Sequence, residues 1–69
     1  MKLSTRNQLA GTVTEVQLGN VMASVKVALK GGDTITAAIT REAAEELGLS
    51  VGVETTVLVK STEVMLAVE

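Results

Sequence analysis

The amino-acid sequence predicts an all-β domain with one short helix, and three patterns in the chain support this class. Runs rich in Val and Thr recur along the 69 residues, and several alternate apolar and polar side chains as half-buried strands do. Turn signals, most of them containing glycine, separate these runs. A single stretch with helical spacing lies between the third and the fourth run. These patterns predict one domain over residues 1–69, with five strands and one helix.

The first two strands are predicted to form a hairpin. The run 11–18 (GTVTEVQL) changes the parity of its apolar residues between Val13 and Val16, and one extra residue in a β-bulge would restore the alternation. The pair Gly19–Asn20 favours a tight hairpin turn. In the run 21–30 (VMASVKVALK) alternate residues are apolar, which predicts the most regular half-buried strand of the chain. The predicted inward face consists of Val21, Ala23, Val25, Val27 and Leu29.

The second half of the chain is predicted to contain a strand, the helix and two more strands. The run 34–39 (TITAAI) follows a Gly-Gly-Asp turn, and the stretch 40–48 has helical spacing, with Thr40 as its N-cap and a glycine at its end. The runs 53–61 and 62–69 are predicted to be strands four and five. Both carry apolar residues on either face, which suggests that one face meets another subunit.

Five strands with a helix between the third and the fourth form the element order of an OB-like Greek-key barrel. In that topology the first strand pairs antiparallel with both the second and the fourth strand. The start of strand one then lies near the end of strand four, which brings residues 4–7 close to residues 60–62. Thr40, at the end of strand three, could come within reach if strands are exchanged between subunits.

The composition indicates self-association. A domain of 69 residues buries a small core, and this one has no Phe, Tyr or Trp to fill it. Cys and His are also absent, which excludes disulfides and the usual zinc, iron–sulfur and copper sites. Small domains without such links gain stability by oligomerisation, so an oligomer is expected.

The charge and hydropathy of the chain argue against nucleic acid and membrane as partners. The net charge of −2 provides no broad basic field for duplex nucleic acid or an anionic bilayer. No apolar run approaches the ~20 residues that span a bilayer. The first residues do not have the basic-then-apolar order of a signal peptide, so a cytoplasmic location is expected.

Hydroxyl groups and cations are concentrated where the topology brings the start of strand one close to the end of strand four. Neither STRNQ nor VLVKST contains an acid, and this set of donors suits an oxyanion through charge-assisted hydrogen bonds. The same set is poor for a hard metal cation, which needs carboxylate or carbonyl oxygens. Without His or Cys the usual catalytic pairings are missing, so no enzymatic activity is predicted. The groups in question are Ser4, Thr5, Arg6, Thr40, Lys60, Ser61 and Thr62.

Each of these residues also has an ordinary structural explanation. STRNQL can be a solvated polar arm, and Thr40 can serve only as a helix cap. Lys60 can be a solvated lysine at a strand end, and Ser61–Thr62 can be a turn pair. Their convergence at one place favours a binding site over these separate explanations.

Four stretches together resemble the molbindins, the small molybdate-binding proteins of the Mop/TOBE family. They are STRNQL near the start, AAIT before a helix that closes on EELGL, the VG turn, and VLVKSTEVMLA near the end. The resemblance implies a homohexamer, a trimer of dimers, that binds molybdate or tungstate at its subunit interfaces and needs no further cofactor. It implies Ser4, Thr5, Arg6, Thr40, Lys60 and Ser61 as oxyanion ligands. It also implies a second site near the threefold axis, which we place at Asn20 and Val21.

One position departs from the family pattern, because Thr5 stands where the family usually has Ala. The family uses main-chain N–H groups at this position, so the change is compatible with binding, although the larger side chain could crowd the site.

The resulting functional prediction is storage and homeostasis of molybdate inside the cell by a protein that is not an enzyme. One alternative is a regulatory module of the same fold that passes the oxyanion to a transporter or a regulator. A second is an OB-type nucleic-acid binder, which normally uses stacking aromatic residues and a basic groove. A third is a structural oligomer without a ligand.

Overall fold

The computed structural model describes residues 2–69, which form one curled antiparallel sheet of four strands with a short helix. The strands follow the spatial order β3-β2-β1-β4. A single 3₁₀ turn, Ser61–Glu63, follows the last strand. The elements are β1 (Asn7–Leu18), β2 (Met22–Leu29), β3 (Thr34–Thr40), α1 (Arg41–Glu46) and β4 (Glu54–Val59).

The strand β1 holds the sheet together, because it pairs antiparallel with β2 on one side and with β4 on the other. This double pairing confirms the sequence prediction. The register with β2 shifts between Val13 and Glu15, which confirms the predicted β-bulge. The strand begins at Asn7 and not at Gly11 as predicted, because the segment Asn7–Ala10 forms a ladder with β4 that reaches Val59.

The core is small and lies on one face of the sheet. Its fully buried side chains come from the centre of β1, from alternate positions of β2 and from α1, namely Val13, Ala23, Val25, Val27 and Ala44. The predicted inward face of the second strand is therefore confirmed at its centre. Val21 is an exception, because it lies in the turn before β2 and is 72% exposed.

The helix α1 begins and ends as its sequence predicts. The Thr40 side chain caps it by accepting a hydrogen bond from the Ala43 backbone N–H over 3.1 Å. Gly48 adopts φ +65°, the left-handed conformation that ends many helices, and donates its backbone N–H to Glu45 O over 3.1 Å. The helix is thus terminated by local chemistry on both sides.

The prediction of a fifth strand at the C-terminal end is wrong for the single chain, since residues 64–69 pair with no strand among residues 2–69. Strand four also ends earlier than predicted, because Lys60 leaves the ladder and Ser61 opens the 3₁₀ turn. Beyond this turn Met65, Leu66 and Val68 are each at least 91% exposed. A strand requires a neighbouring edge for its backbone hydrogen bonds, and this segment lies on neither edge of the sheet. The all-β class with one short helix is confirmed.

Candidate oxyanion-binding site

The antiparallel ladder between β1 and β4 brings two of the predicted site segments together. Its last pair is Asn7 with Val59. The residues just before β1 therefore lie beside the residues just after β4, as the topology predicted. We call these residues the amino-terminal cluster, which consists of Ser4, Thr5, Arg6, Lys60 and Ser61.

Two consecutive carboxamide side chains fasten the amino-terminal cluster to the sheet. Asn7 Nδ2 donates to the carbonyl oxygen of Val59 over 3.1 Å. Gln8 Nε2 donates to the carbonyl oxygen of Thr5 over 2.7 Å. Both residues belong to the STRNQL stretch, but sequence reasoning assigned them no role. The feature of the sequence that could have indicated this role is a pair of adjacent carboxamides at the start of a strand.

The two cations of the amino-terminal cluster carry no internal counter-charge. Arg6 and Lys60 are exposed, and neither forms an ion pair with a carboxylate of residues 2–69. Glu63 is the acid nearest to Lys60 along the chain, and its backbone N–H donates to Lys60 O over 2.9 Å without a side-chain ion pair. The positive charge at this end of the sheet is available to an anion.

The backbone of the cluster adds further hydrogen-bond donors. The N–H groups of Thr5, Arg6, Lys60 and Ser61 donate to no acceptor within the part of the chain that the structure describes. They lie beyond the last pair of the ladder, where a neighbouring strand no longer supplies carbonyl groups. The cluster thus presents hydroxyl groups, amide N–H groups and two cations.

Thr40 does not join the amino-terminal cluster within one chain. It pairs with Met22, at the far end of the sheet from Asn7. The eleven steps from Asn7 to Leu18 along β1 correspond to at most roughly 36 Å at about 3.3 Å per residue. Its hydroxyl oxygen already accepts the Ala43 N–H as the helix cap.

Thr40 lies instead beside the residues of the predicted second site. The backbone N–H of Arg41 donates to Val21 O over 2.8 Å, which joins the start of α1 to the β1–β2 turn. An open cavity of about 410 Å³ lies here, and we call its lining residues the hairpin cluster. They are Asn20, Val21, Thr40, Arg41, Glu42 and Glu45.

The hairpin cluster differs from the amino-terminal cluster in its electrostatics. Arg41 Nε lies 3.6 Å from Glu45 Oε1, and Arg41 Nη1 donates to Gly19 O over 3.3 Å. The cation of this cluster is therefore already engaged. Two carboxylates also line the cavity, and an ionised carboxylate accepts hydrogen bonds but donates none.

Two other features concern metals and membranes. Residues 2–69 contain no group of three or more His, Cys, Asp or Glu side chains placed to hold a metal ion. Among the described residues, no helix is long and apolar enough to cross a bilayer.

Comparison with known proteins matches the chain to one family over nearly its full length. The sequence profile of the TOBE domain matches residues 3–66. Molybdenum-pterin-binding protein MopA of Rhodobacter capsulatus is 51% identical over 67 residues, which are 97% of this chain and 25% of that protein. Molybdenum-pterin-binding protein 3 of Clostridium pasteurianum is 44% identical over 66 residues, which are 96% of this chain and 97% of that protein. The chain thus spans the second relative almost completely and about a quarter of the first.

Solved structures show the same backbone. MopII of Clostridium pasteurianum superimposes with a TM-score of 0.92 at 43% identity, over 97% of this chain and 100% of that one. The cytoplasmic molybdate-binding protein ModG, in a form with molybdate bound, superimposes with a TM-score of 0.84 at 44% identity, over 88% of this chain and 43% of that one.

The curled antiparallel sheet with its one short helix, and the hydroxyl groups, amide N–H groups and cations beside the last β1–β4 pair, define a small all-β domain with a cluster of hydrogen-bond donors at one end. The profile match and the full-length relative specify which domain this is. The chain belongs to the TOBE domain family and groups there with the molybdenum-pterin-binding (Mop) proteins, as its motifs indicated.

Proposed function

We propose that this protein binds molybdate or tungstate as the free oxyanion in the cytoplasm and serves as its store and buffer, without catalysing a reaction. The observation that carries the proposal is the amino-terminal cluster. Within residues 2–69 its N–H groups are unpaired and its two cations have no ion-paired carboxylate, and hydroxyl groups lie beside them. The names of its relatives and of the superimposed structures support the same ligand class. The binding unit is one domain over residues 1–69.

The cluster provides a physical basis for selecting the anion. A site rich in donors and without a carboxylate suits a fully deprotonated dianion, because every ligand oxygen can accept a hydrogen bond. Monohydrogen phosphate carries a proton that needs an acceptor, and this site offers no carboxylate for it. Discrimination against sulfate, which is also a dianion, rests on the size of the closed site.

The oligomer completes both the fold and the site in this proposal. The exposed apolar segment 64–69 pairs with the sheet of a second copy and supplies the fifth strand of a Greek-key barrel. In support, the apolar core is open, with a cavity of about 240 Å³ lined by residues such as Val25, Ile39 and Leu49. The expected assembly is a homohexamer, a trimer of dimers, with sites at its interfaces.

Thr40 is placed in the binding site by the same assembly. Because it lies at the opposite end of its own sheet, it contributes to an amino-terminal cluster only across a subunit interface. Asn20 and Val21 would form the second site near the threefold axis, where the hairpin clusters of several subunits meet.

Calorimetric titration of the purified oligomer with sodium molybdate, sodium tungstate and sodium sulfate tests the proposal. We expect saturable binding of molybdate or tungstate and none of sulfate at the same concentration. At a molybdate concentration about 100 times Kd, linkage adds about 2.7 kcal/mol per site to the folded state, so Tm should rise. Absence of both heat and Tm shift at millimolar molybdate would favour the structural oligomer without a ligand.

Sedimentation at micromolar concentration tests the assembly separately. We expect several times the mass of one chain. A stable folded monomer would contradict the placement of the sites at interfaces. Concentration cannot be measured by absorbance at 280 nm, because the chain has no Trp, Tyr or Cys.

A further inference from the structure

Asn7 and Gln8 are neighbours at the start of β1, and the side-chain NH₂ group of each donates to a backbone carbonyl oxygen. One of these carbonyl groups belongs to the amino-terminal cluster and the other to the residue just before Lys60. Asn7 reaches across to Val59 O at the end of β4, over 3.1 Å. Gln8 reaches back along its own chain to Thr5 O, over 2.7 Å. Successive side chains in a strand leave on opposite faces, so the pair can fasten two different segments.

The two carbonyl groups belong to peptide units whose N–H groups are candidate ligands. A trans peptide is planar, and its C=O and N–H point in opposite directions. The unit that carries Thr5 O also carries the Arg6 N–H, and the unit that carries Val59 O also carries the Lys60 N–H. Holding each oxygen on one side therefore directs each N–H to the other side.

Neither N–H group is used inside the chain. Within residues 2–69 the Arg6 and Lys60 N–H groups donate to no acceptor, although their peptide units are fixed by side chains. The Thr5–Arg6 unit precedes the first ladder pair, so no strand pairing holds its plane. Without Gln8 this plane could rotate, and an anion would then have to order it on binding.

We propose that Asn7 and Gln8 are positioning residues of the oxyanion site. Gln8 directs the Arg6 N–H toward the anion, and Asn7 directs the Lys60 N–H toward it. Neither side chain touches the ligand. This inference rests on the proposed function, since it assigns how the same site is preorganised.

The test uses neutral substitutions that remove the donor and keep the side-chain volume similar. Gln8→Met and Asn7→Leu are compared with Gln17→Met, a change at an exposed glutamine of β1 whose side chain forms no hydrogen bond within residues 2–69. Each protein is titrated with sodium molybdate by calorimetry. Amide resonances of the ¹⁵N-labelled oligomers are recorded with and without saturating molybdate, and Tm is measured without ligand.

We expect each cluster variant to bind molybdate about threefold to tenfold more weakly, the effect of one hydrogen bond, and the Gln17→Met protein to bind like the parent. The resonances should respond in a crossed pattern. Gln8→Met should lose the molybdate-induced shift of the Arg6 amide and keep that of Lys60, while Asn7→Leu should show the reverse. A purely structural role would not produce this pattern.

Three outcomes would overturn the inference. Parent-like affinity in both cluster variants would do so, and so would equal loss of both amide shifts in each variant. A lower ligand-free Tm with both shifts retained would leave the two residues a structural role only. If the parent protein itself fails to bind molybdate, the proposed function fails first, and the amide positions in the ligand-free spectra then decide whether the side chains orient the two peptide units.

Discussion

The two ends of the sheet carry similar residue types, but the fold uses them differently. At the amino-terminal cluster Arg6 and Lys60 have no ion-pair partner within residues 2–69, whereas at the hairpin cluster Arg41 contacts both Gly19 O and Glu45. The Thr40 hydroxyl oxygen likewise accepts the Ala43 N–H as the helix cap, and only its O–H is left to donate. A hydroxyl or a cation is a candidate ligand for an anion only to the extent that local structure has not already engaged it.

This contrast ranks the two regions as binding sites. The amino-terminal cluster offers unpaired donors, while the hairpin cluster must give up existing interactions and accommodate Glu42 and Glu45 in its lining. We therefore expect the amino-terminal cluster to provide most of the binding free energy. The predictions below test this ranking, from the largest expected effect to the smallest.

Lys60→Ala should weaken molybdate binding most. We propose that the lysine, rather than Arg6, supplies the principal positive charge to the anion. A charge-assisted hydrogen bond contributes about 1.5–3 kcal/mol, so we expect a loss of at least ~2 kcal/mol in a calorimetric titration. The oligomer should persist, because the change removes an unpaired cation from the empty site.

Lys26→Ala is the matched control for this change. Lys26 lies on the exposed face of β2 and forms only a 3.9 Å ion pair with Glu15, which is also partly exposed. If Lys60→Ala bound molybdate like the parent while Lys26→Ala did not, the site would lie elsewhere on the sheet.

Thr40→Ala should lower stability by about 1 kcal/mol, the usual contribution of an N-cap hydroxyl. Thermal unfolding measures this effect, and Thr40→Ser, which retains the capping oxygen, should recover most of it. If Thr40 also reaches the anion across an interface, its loss should weaken molybdate binding beyond the change in stability. Unaltered affinity in Thr40→Ala would restrict the residue to its capping role.

Ser4→Ala should weaken molybdate binding by about 1 kcal/mol, because a neutral hydroxyl donor contributes less than a charged one. Tm without ligand should not change, since Ser4 is exposed and precedes β1. A loss as large as that of Lys60→Ala would contradict the assignment of the principal charge to Lys60.

Arg41→Met should have the smallest effect on binding. Its exposed i,i+4 ion pair with Glu45 contributes about 0.3–0.5 kcal/mol, and its exposed 3.3 Å hydrogen bond to Gly19 O is lost as well, so a small loss of stability is expected. We expect molybdate affinity within error of the parent protein. A loss comparable to that of Lys60→Ala would reverse the ranking of the two ends of the sheet.

Several features of the fold follow from residues that are close together along the chain. The alternation in the second strand predicts the buried positions Ala23, Val25 and Val27, and the parity change after Val13 predicts the bulge. Thr40 and Gly48 predict the two ends of the helix. These predictions succeed because side-chain direction, capping and backbone conformation depend on near neighbours.

The candidate site was predictable only in part from such patterns. The donor-only composition around Arg6 and Lys60 is visible in the sequence, as is the topology that brings them together. The roles of Asn7 and Gln8 are not visible, because they depend on which carbonyl groups lie within reach of the side chains.

Other features were decided by the tertiary structure alone. Pairing with β4 extends β1 back to Asn7, through four residues whose sequence (NQLA) has no alternation that predicts a strand by itself. The length of β1 separates Thr40 from the amino-terminal cluster, and the sheet leaves residues 64–69 unpaired although their apolar pattern predicts a strand. Each of these results depends on which strand edge accepts the backbone hydrogen bonds of a segment, and that edge is distant in sequence or belongs to another chain. A local pattern shows only which face of the segment is apolar.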